Sequence, residues 1–359
     1  MQQLTQLRLE PRDANAARAS AVAVLEDGFA RRVRYLRLSV TDRCNYRCTY
    51  CMPEDVEQVR RQDLLSFEEW VELVQAFVGW GVERVRITGG EPTVRKGLCT
   101  LVERLTALPT PEGRLSVAMT TNGETMAELG ASLFAAGLRD VTVSIDSLQT
   151  QRFRRVTRRG NLGRVRRGLD KLGVLGFRGV KLNIVAIRGF NDDELVELAM
   201  FAWERRFTPR FIELMPMAEG ELFVPGELMT AKDIRDRIAL ELGANLEPDD
   251  GDGVRGLGPA RYWRVTGGRY AGRRLGTIGA MTENFCAACN RLRISASGQI
   301  QGCLAHDDAG DLRAALRVGA GTGSVEAVVR SVLAGKREAH SFSLDGTGGP
   351  NKAMVTIGG

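Results

Sequence analysis

Cys44, Cys48 and Cys51 stand in a CxxxCxxC pattern directly after a run of alternating apolar and polar residues, YLRLSVT at 35–41. Three thiolates so close together can each hold one iron of a cubane, which leaves the fourth iron without a protein ligand. Such an iron can chelate a small molecule and pass it an electron. A zinc site would need a fourth donor nearby, and the two histidines, His306 and His340, are remote in sequence. A second group, Cys286, Cys289 and Cys303, repeats the count: a CxxC joined by a third cysteine after thirteen intervening residues. Two readings stay open for it, a second three-cysteine cluster or a Cys₃His zinc ribbon with His306 as fourth ligand. The seven cysteines form two groups plus lone Cys99, which suits metal ligation in a reducing compartment better than a disulfide framework.

The elements that must position these residues alternate regularly. Short β-branched runs are expected as strands at 35–41, 82–88, 115–121, 139–146, 179–187 and 209–214, and helical spacing of apolar residues recurs at 66–80, 98–108, 124–136, 161–174 and 192–206. Strands separated by helices imply a parallel sheet with right-handed crossovers, either an incomplete barrel or a doubly wound sheet. The cysteine loop follows the first strand and Gly89-Gly90-Glu91-Pro92 follows the second. Both therefore belong to the C-terminal strand edge, where such sheets assemble their sites. After about 215 the register changes to a helix at 230–242, an exposed Asp/Gly-rich loop at 248–258, and short strands at 261–304 with Ser297-Gly298 as a hairpin turn. Residues 1–32 lack a sustained period and are read as a mobile N-terminal extension, before a barrel region at 33–220 and a C-terminal region at 221–359.

The formal net charge is +6, but only six of the 50 basic residues are lysine. That bias, with clusters such as Arg152 to Arg159 lacking the interleaved aromatics of a single-strand binder, reads as solvated helix faces and not as a nucleic-acid partner. No apolar run approaches a membrane span, and the acidic N-terminus fits neither a signal nor a transit peptide. No membrane partner and a cytoplasmic location are expected. Asn290-Arg291-Leu292-Arg293 follows the second CxxC and puts two guanidinium groups on one strand face, a chemistry suited to phosphate or purine.

CxxxCxxC paired with GGEP resembles the radical S-adenosylmethionine superfamily. Taken together, DRCNYRCTYCMP, RITGGEPTVR, TTNG, VSIDS, RFIELMPM, NFCAACNRLRIS, QGCL and a terminal IGG resemble one family within it, the GTP 3′,8-cyclases of molybdenum cofactor biosynthesis, over residues 35 to 359. The resemblance implies an α/β fold, an incomplete (β/α)₆ TIM-type barrel whose open side is closed by a C-terminal extension carrying a second iron–sulfur cluster. It implies a lyase with two [4Fe–4S] clusters and S-adenosylmethionine as cofactors, one cluster on Cys44, Cys48 and Cys51, the other on Cys286, Cys289 and Cys303. Tyr50, Gly90, Ser144 and Met215 match positions that contact S-adenosylmethionine. Arg37, Arg86, Thr120, Lys181, Arg291 and Arg293 match positions that contact GTP, with Arg84 in place of a lysine and Arg210 as a further phosphate partner. Arg37 and the terminal Gly358-Gly359, which would reach into the active site, are implied in catalysis. A 5′-deoxyadenosyl radical would take the ribose C3′ hydrogen of GTP, and the carbon radical would attack C8. An external one-electron reductant and a functional link to a MoaC-type cyclic pyranopterin synthase follow from the same resemblance, and a homodimer and a metal role for His306 stay open. Two alternatives remain, another radical S-adenosylmethionine enzyme with an auxiliary cluster, such as a peptide-modifying maturase, and a zinc and iron–sulfur RNA-binding protein.

Overall fold

The computed structural model describes residues 24–217, 222–249, 258–318 and 321–357. Six strands carry the first half: β1 (Tyr35–Ser39), β2 (Arg84–Thr88), β3 (Ser116–Thr121), β4 (Asp140–Ser144), β5 (Lys181–Ala186) and β6 (Thr208–Glu213). They pair in sequential order and all in parallel. The helices between them are α1 (Phe67–Gly79), α2 (Leu98–Thr106), α3 (Met126–Ala135), α4 (Thr150–Thr157) with α5 (Leu162–Leu175), and α6 (Leu195–Glu204). In α1, Ser66 and Glu69 close a capping box, and Trp70, Leu73, Val74 and Phe77 make the buried stripe that faces the sheet. α4 buries Phe153 and Val156 and turns Arg154 and Arg155 to solvent, whereas Arg152 pairs with Asp193 and the buried Glu194, and Arg158 donates to the carbonyls of Arg47 and Met52, so only part of this basic cluster is a solvated face.

β1 and β6 do not pair, so the barrel is incomplete, and the C-terminal part continues both of its edges. It supplies α7 (Ala231–Leu242), β7 (Asn245–Pro248), β8 (Arg261–Thr266), β9 (Arg274–Ile278), β10 (Arg291–Ile294), β11 (Gln299–Gln301), β12 (Gly310–Asp311), α8 (Leu312–Arg317) and α9 (Gly321–Ala334). β10 runs parallel beside β1 and β9 parallel beside β6, each followed outward by two antiparallel strands, and the sheet reaches twelve strands. Gly298 turns the hairpin between β10 and β11 at a φ of 84°, a conformation that favours glycine.

Register decides what faces inward. Leu36 and Leu38 are buried in the apolar core, so the alternate residues Tyr35 and Arg37 face the barrel interior. Arg37 lies level with Arg86 on one side and Arg293 on the other, and Thr120 with Thr142 and Lys181. Asn183 lies level with Arg210.

Residues 24–32, expected within the extension, form a turn packed on the body of the protein: Glu26 and Arg32 form a bridge, Leu25 is buried, and Asp27 and Arg31 pair at 2.7 Å with almost no exposure. A turn of mixed composition has no period to reveal it, and its partners lie at the other end of the chain. Residues 1–23, 250–257 and the terminal Gly358-Gly359 lie outside the described residues. Among the described residues no helix is long and apolar enough to cross a membrane.

Candidate active site

The first cysteine loop is tied down from three sides. The backbone N–H groups of Cys51 and Met52 donate to the Cys48 carbonyl at 2.9 and 3.2 Å, and Tyr46 N–H donates to Cys44 Sγ at 3.3 Å. The Arg47 guanidinium gathers the carbonyls of Cys44, Tyr46 and Glu54 at 2.7 to 3.0 Å. From β2, Gly90 N–H reaches Thr41 O at 2.7 Å and Glu91 N–H reaches Arg43 O at 2.8 Å. The buried Glu91 carboxylate accepts from Thr93, Thr121 and Asn122 at 2.6 to 3.1 Å and joins this loop to the end of β3.

Gly90 is placed by that packing. A Cβ there would meet Arg43 O at 2.5 Å and Asp42 O at 2.8 Å. Backbone atoms cannot swing aside, so Gly90→Ala is expected to destabilise the metal-free protein by about 1–3 kcal/mol, the range of overpacked cores. A urea midpoint equal to that of the parent protein would contradict this.

The two cysteine groups differ electrostatically. Burial pushes the Cys44 and Cys51 thiols up to about 12 and holds the Cys48 thiol well above its ordinary value. Their protons leave when a metal takes their place. Burial opposes ionisation of Cys289 too, but Arg291 and Lys336 outweigh it and bring that thiol down to about 7. Among the described residues no three His, Cys, Asp or Glu side chains gather tightly enough for a single ion. Cys48 feels the charges of Cys44 and Cys51, and Cys286 those of Cys289 and Cys303, so each trio shares one neighbourhood, and an all-thiolate donor set is the one iron–sulfur clusters take. His306 does not join the second trio as a ligand here: its ring nitrogens face Ser341 Oγ and Ala339 O, each at 3.4 Å.

The groups sit at opposite ends of the barrel. Cys44, Cys48 and Cys51 follow the C-terminal end of β1, whereas Cys286 and Cys289 precede β10, which is parallel to β1 with Arg291 beside Tyr35. Cys303 follows antiparallel β11 and returns to the same lower end. A cavity of about 920 Å³ joins the two ends. Tyr50, Ser144 and Met215 line it at the upper end, together with Met354. Arg37, Arg86 and Arg293, which share one level, line its middle with Thr120, Lys181 and Arg210, and Arg84 and Arg291, both level with Tyr35, its lower end.

Arg178, Arg206, Arg261 and Arg274 line the cavity too, so among the described residues eleven basic side chains border one space. Arg86, buried, donates to Tyr35 Oη at 2.5 Å, Thr142 Oγ1 at 2.9 Å and Thr120 Oγ1 at 3.2 Å. Arg210 donates to Asn183 Oδ1 at 2.8 and 3.0 Å and to Thr142 at 3.1 Å. Asp140 pairs with Arg84 and, at 3.1 Å, with Lys181. Burial would raise the Asp140 carboxyl, yet Lys181, Arg86 and Arg84 take it down to about 2. Lys181 drops to about 8 through burial and the nearby Arg210 and Arg86. Burial and the facing Arg293 hold Arg37 well below the ordinary arginine value. Such crowding is costly without an anion, so the cavity suits a polyanionic ligand. At the upper end Tyr50 donates to Asp146 at 2.8 Å, and burial lifts the Asp146 carboxyl to about 6.

Asp140, Asp146, Tyr35 and Asn183 were not singled out in the sequence. The alternation of polar residues in DVTVS and KLNIVA could have flagged Asp140 and Asn183 as inward-facing.

Residues 38–202 match the family model described as Radical SAM superfamily, and residues 207–342 match that of Molybdenum Cofactor Synthesis C. A protein of Pseudomonas putida (strain W619) described as GTP 3′,8-cyclase is 40% identical over 324 residues, which covers 90% of this chain and 94% of its own. The chain belongs to the GTP 3′,8-cyclase family. Another protein of that description, from Pelotomaculum thermopropionicum, is 40% identical across 93% of this chain and its own full length. The family therefore spans both cysteine groups and the cavity between them. Among solved structures, Streptococcus suis SuiB bound to precursor peptide SuiA superposes with a TM-score of 0.53 at 14% identity, over 76% of this chain and 60% of that one. That likeness concerns the fold alone.

Proposed function

We propose that this protein is a radical S-adenosylmethionine lyase that converts GTP to (8S)-3′,8-cyclo-7,8-dihydroguanosine 5′-triphosphate in molybdenum cofactor biosynthesis. The observation that carries it is one cation-lined cavity that reaches Tyr50, beside Cys51, and Phe285 and Leu304, beside Cys286 and Cys303, the two cysteine trios lying at opposite ends of β1. When bound, the first cluster supplies the electron that cleaves S-adenosylmethionine to methionine and a 5′-deoxyadenosyl radical, the species that takes the C3′ hydrogen.

Cys44, Cys48 and Cys51 hold that cluster, and Tyr50, Gly90, Ser144 and Met215 form the S-adenosylmethionine end of the cavity. Cys286, Cys289 and Cys303 would hold the second cluster, which would supply an iron free to bind the guanine and so help bring C3′ and C8 together. Arg84, Arg86, Lys181 and Arg210 bind the triphosphate with Thr120, and Arg291 and Arg293 flank the purine. Arg37 lies between the two ends and stabilises the cyclising nucleotide. The catalytic part of Gly358-Gly359 rests on the family resemblance; of the turn that precedes them, Met354 lines the cavity and Val355 packs with Met52. An external reductant provides the electron, and the product passes to a cyclic pyranopterin synthase in the cytoplasm.

The test is anaerobic incubation of the reconstituted protein with GTP, S-adenosylmethionine and dithionite. Both 5′-deoxyadenosine and cyclised nucleotide are expected, from protein carrying about eight irons as two cubanes. Deoxyadenosine without cyclised GTP, or about four irons with one zinc, would refute the reading. Lys181 adds a pH signature. It is protonated below about 8, so kcat/KM for GTP should fall as pH rises through that value. Lys181→Arg should remove this limb, and a limb that persists in the variant would assign it elsewhere.

A further inference from the structure

Three buried charges outside the cavity have no part in the reaction described so far. The Arg31, Asp27 and Lys336 side chains are 6%, 0% and 2% exposed. Arg31 donates from Nη1 to Cys286 O at 2.9 Å and Glu338 O at 2.6 Å, from Nη2 to Arg337 O at 2.7 Å, and from Nε to Asp27 Oδ2 at 2.7 Å. Lys336 Nζ donates to Cys289 O at 3.3 Å and Arg291 O at 3.4 Å, and lies 3.5 Å from Asp27 Oδ2. Its stem runs over Gly302, where a Cβ would come within 3.1 Å of the Lys336 Cγ. Every segment that carries a cysteine of the second trio is thereby touched by this small group: Cys286 by Arg31, Cys289 by Lys336, and the residue before Cys303 by the Lys336 stem.

Docking the turn at residues 24–32 against a loop needs only apolar contact, and burying two cations for that purpose is expensive. Their hydrogen bonds go to backbone carbonyls, so what they fix is the path of the cysteine-bearing backbone. Partners beyond the ligands orient metal-binding side chains and tune the metal. Two cations and one carboxylate also leave a net positive charge beside the trio, which favours a more reduced cluster.

We propose that Asp27, Arg31 and Lys336 form a clasp that positions the backbone of the second cysteine trio and sets the charge felt by its cluster. They are positioning residues. The proposal rests on Cys286, Cys289 and Cys303 being the ligands of that cluster.

Two triple-alanine backgrounds of the full chain separate the clusters: one lacks Cys44, Cys48 and Cys51, the other lacks Cys286, Cys289 and Cys303. Each is reconstituted anaerobically and should hold about four irons. With only the second trio present, Lys336→Met and Arg31→Gln are each expected to speed iron loss to a chelator about tenfold. Lys336→Met should also lower the midpoint potential followed by electron paramagnetic resonance. With only the first trio present, the same substitutions should leave iron loss unchanged. Unaltered release and potential in the second-trio background would overturn the clasp, as would equal acceleration in both backgrounds, which indicates general unfolding. A second-trio parent that takes up no iron would instead remove the ligand assignment and the clasp with it. Should Arg31→Gln fail to fold, Arg31→Lys, which keeps the charge and loses the fork, makes the same comparison.

Discussion

Cys289→Ala protein should continue to release 5′-deoxyadenosine from S-adenosylmethionine while its yield of cyclised nucleotide drops at least about 100-fold, the scale of loss when reacting atoms are misplaced by an ångström. The two trios lie at opposite ends of β1, so removing one sulfur at the lower end leaves the Cys44 loop, its Arg47 support and the Gly90 contacts in place. The upper chemistry is thus separable from the lower positioning. Iron should fall from about eight to about four per chain. Cyclisation at the parent rate with half the iron would show that the second trio does not position the nucleotide.

Arg86→Met is expected to raise KM for GTP by about 10- to 100-fold, since a hydrogen bond to a charged group contributes about 1.5–3 kcal/mol. Arg86 is the buried hub of the cavity wall, with Tyr35, Thr120 and Thr142 as neighbours on three strands. Methionine keeps most of the volume, so the effect isolates charge and fork geometry from packing. Arg86→Lys should recover only part of the loss, because an ammonium cannot serve three directions from a planar fork. A KM unchanged in both variants would exclude Arg86 from phosphate binding, and the triphosphate would then belong nearer Arg291 and Arg293.

Much of this was legible because the relevant patterns are local. Alternation in YLRLSVT and RVRIT announces strands with Arg37 and Arg86 on one face, and CxxxCxxC and GGEP are contiguous motifs on adjacent loops. What escaped depends on register between distant segments. That the second trio lies at the lower end follows from β10 running parallel beside β1, a pairing more than two hundred residues apart that no window of sequence contains. Asp140 became visible as the partner of Arg84 and Lys181 only once β2, β4 and β5 stood around one cavity. The packing of residues 24–32 depends on the same thing: Arg31 is a surface-type residue until the carbonyls of Cys286, Arg337 and Glu338 surround it.

β1 has five residues, and at about 3.3 Å per residue it holds the two cysteine loops on the order of 16 Å apart. It is in effect a ruler shared by two metal sites. The N–H groups of Arg34 and Tyr35 both grip Asn290 O, directly after Cys289, so the ruler starts at one loop and ends at the other. Gaining or losing a single residue within it would rotate Arg37 out of the cavity and change the gap by one strand step. The helices behind the barrel can drift in length without such a penalty, but this strand fixes the span between the two cysteine loops.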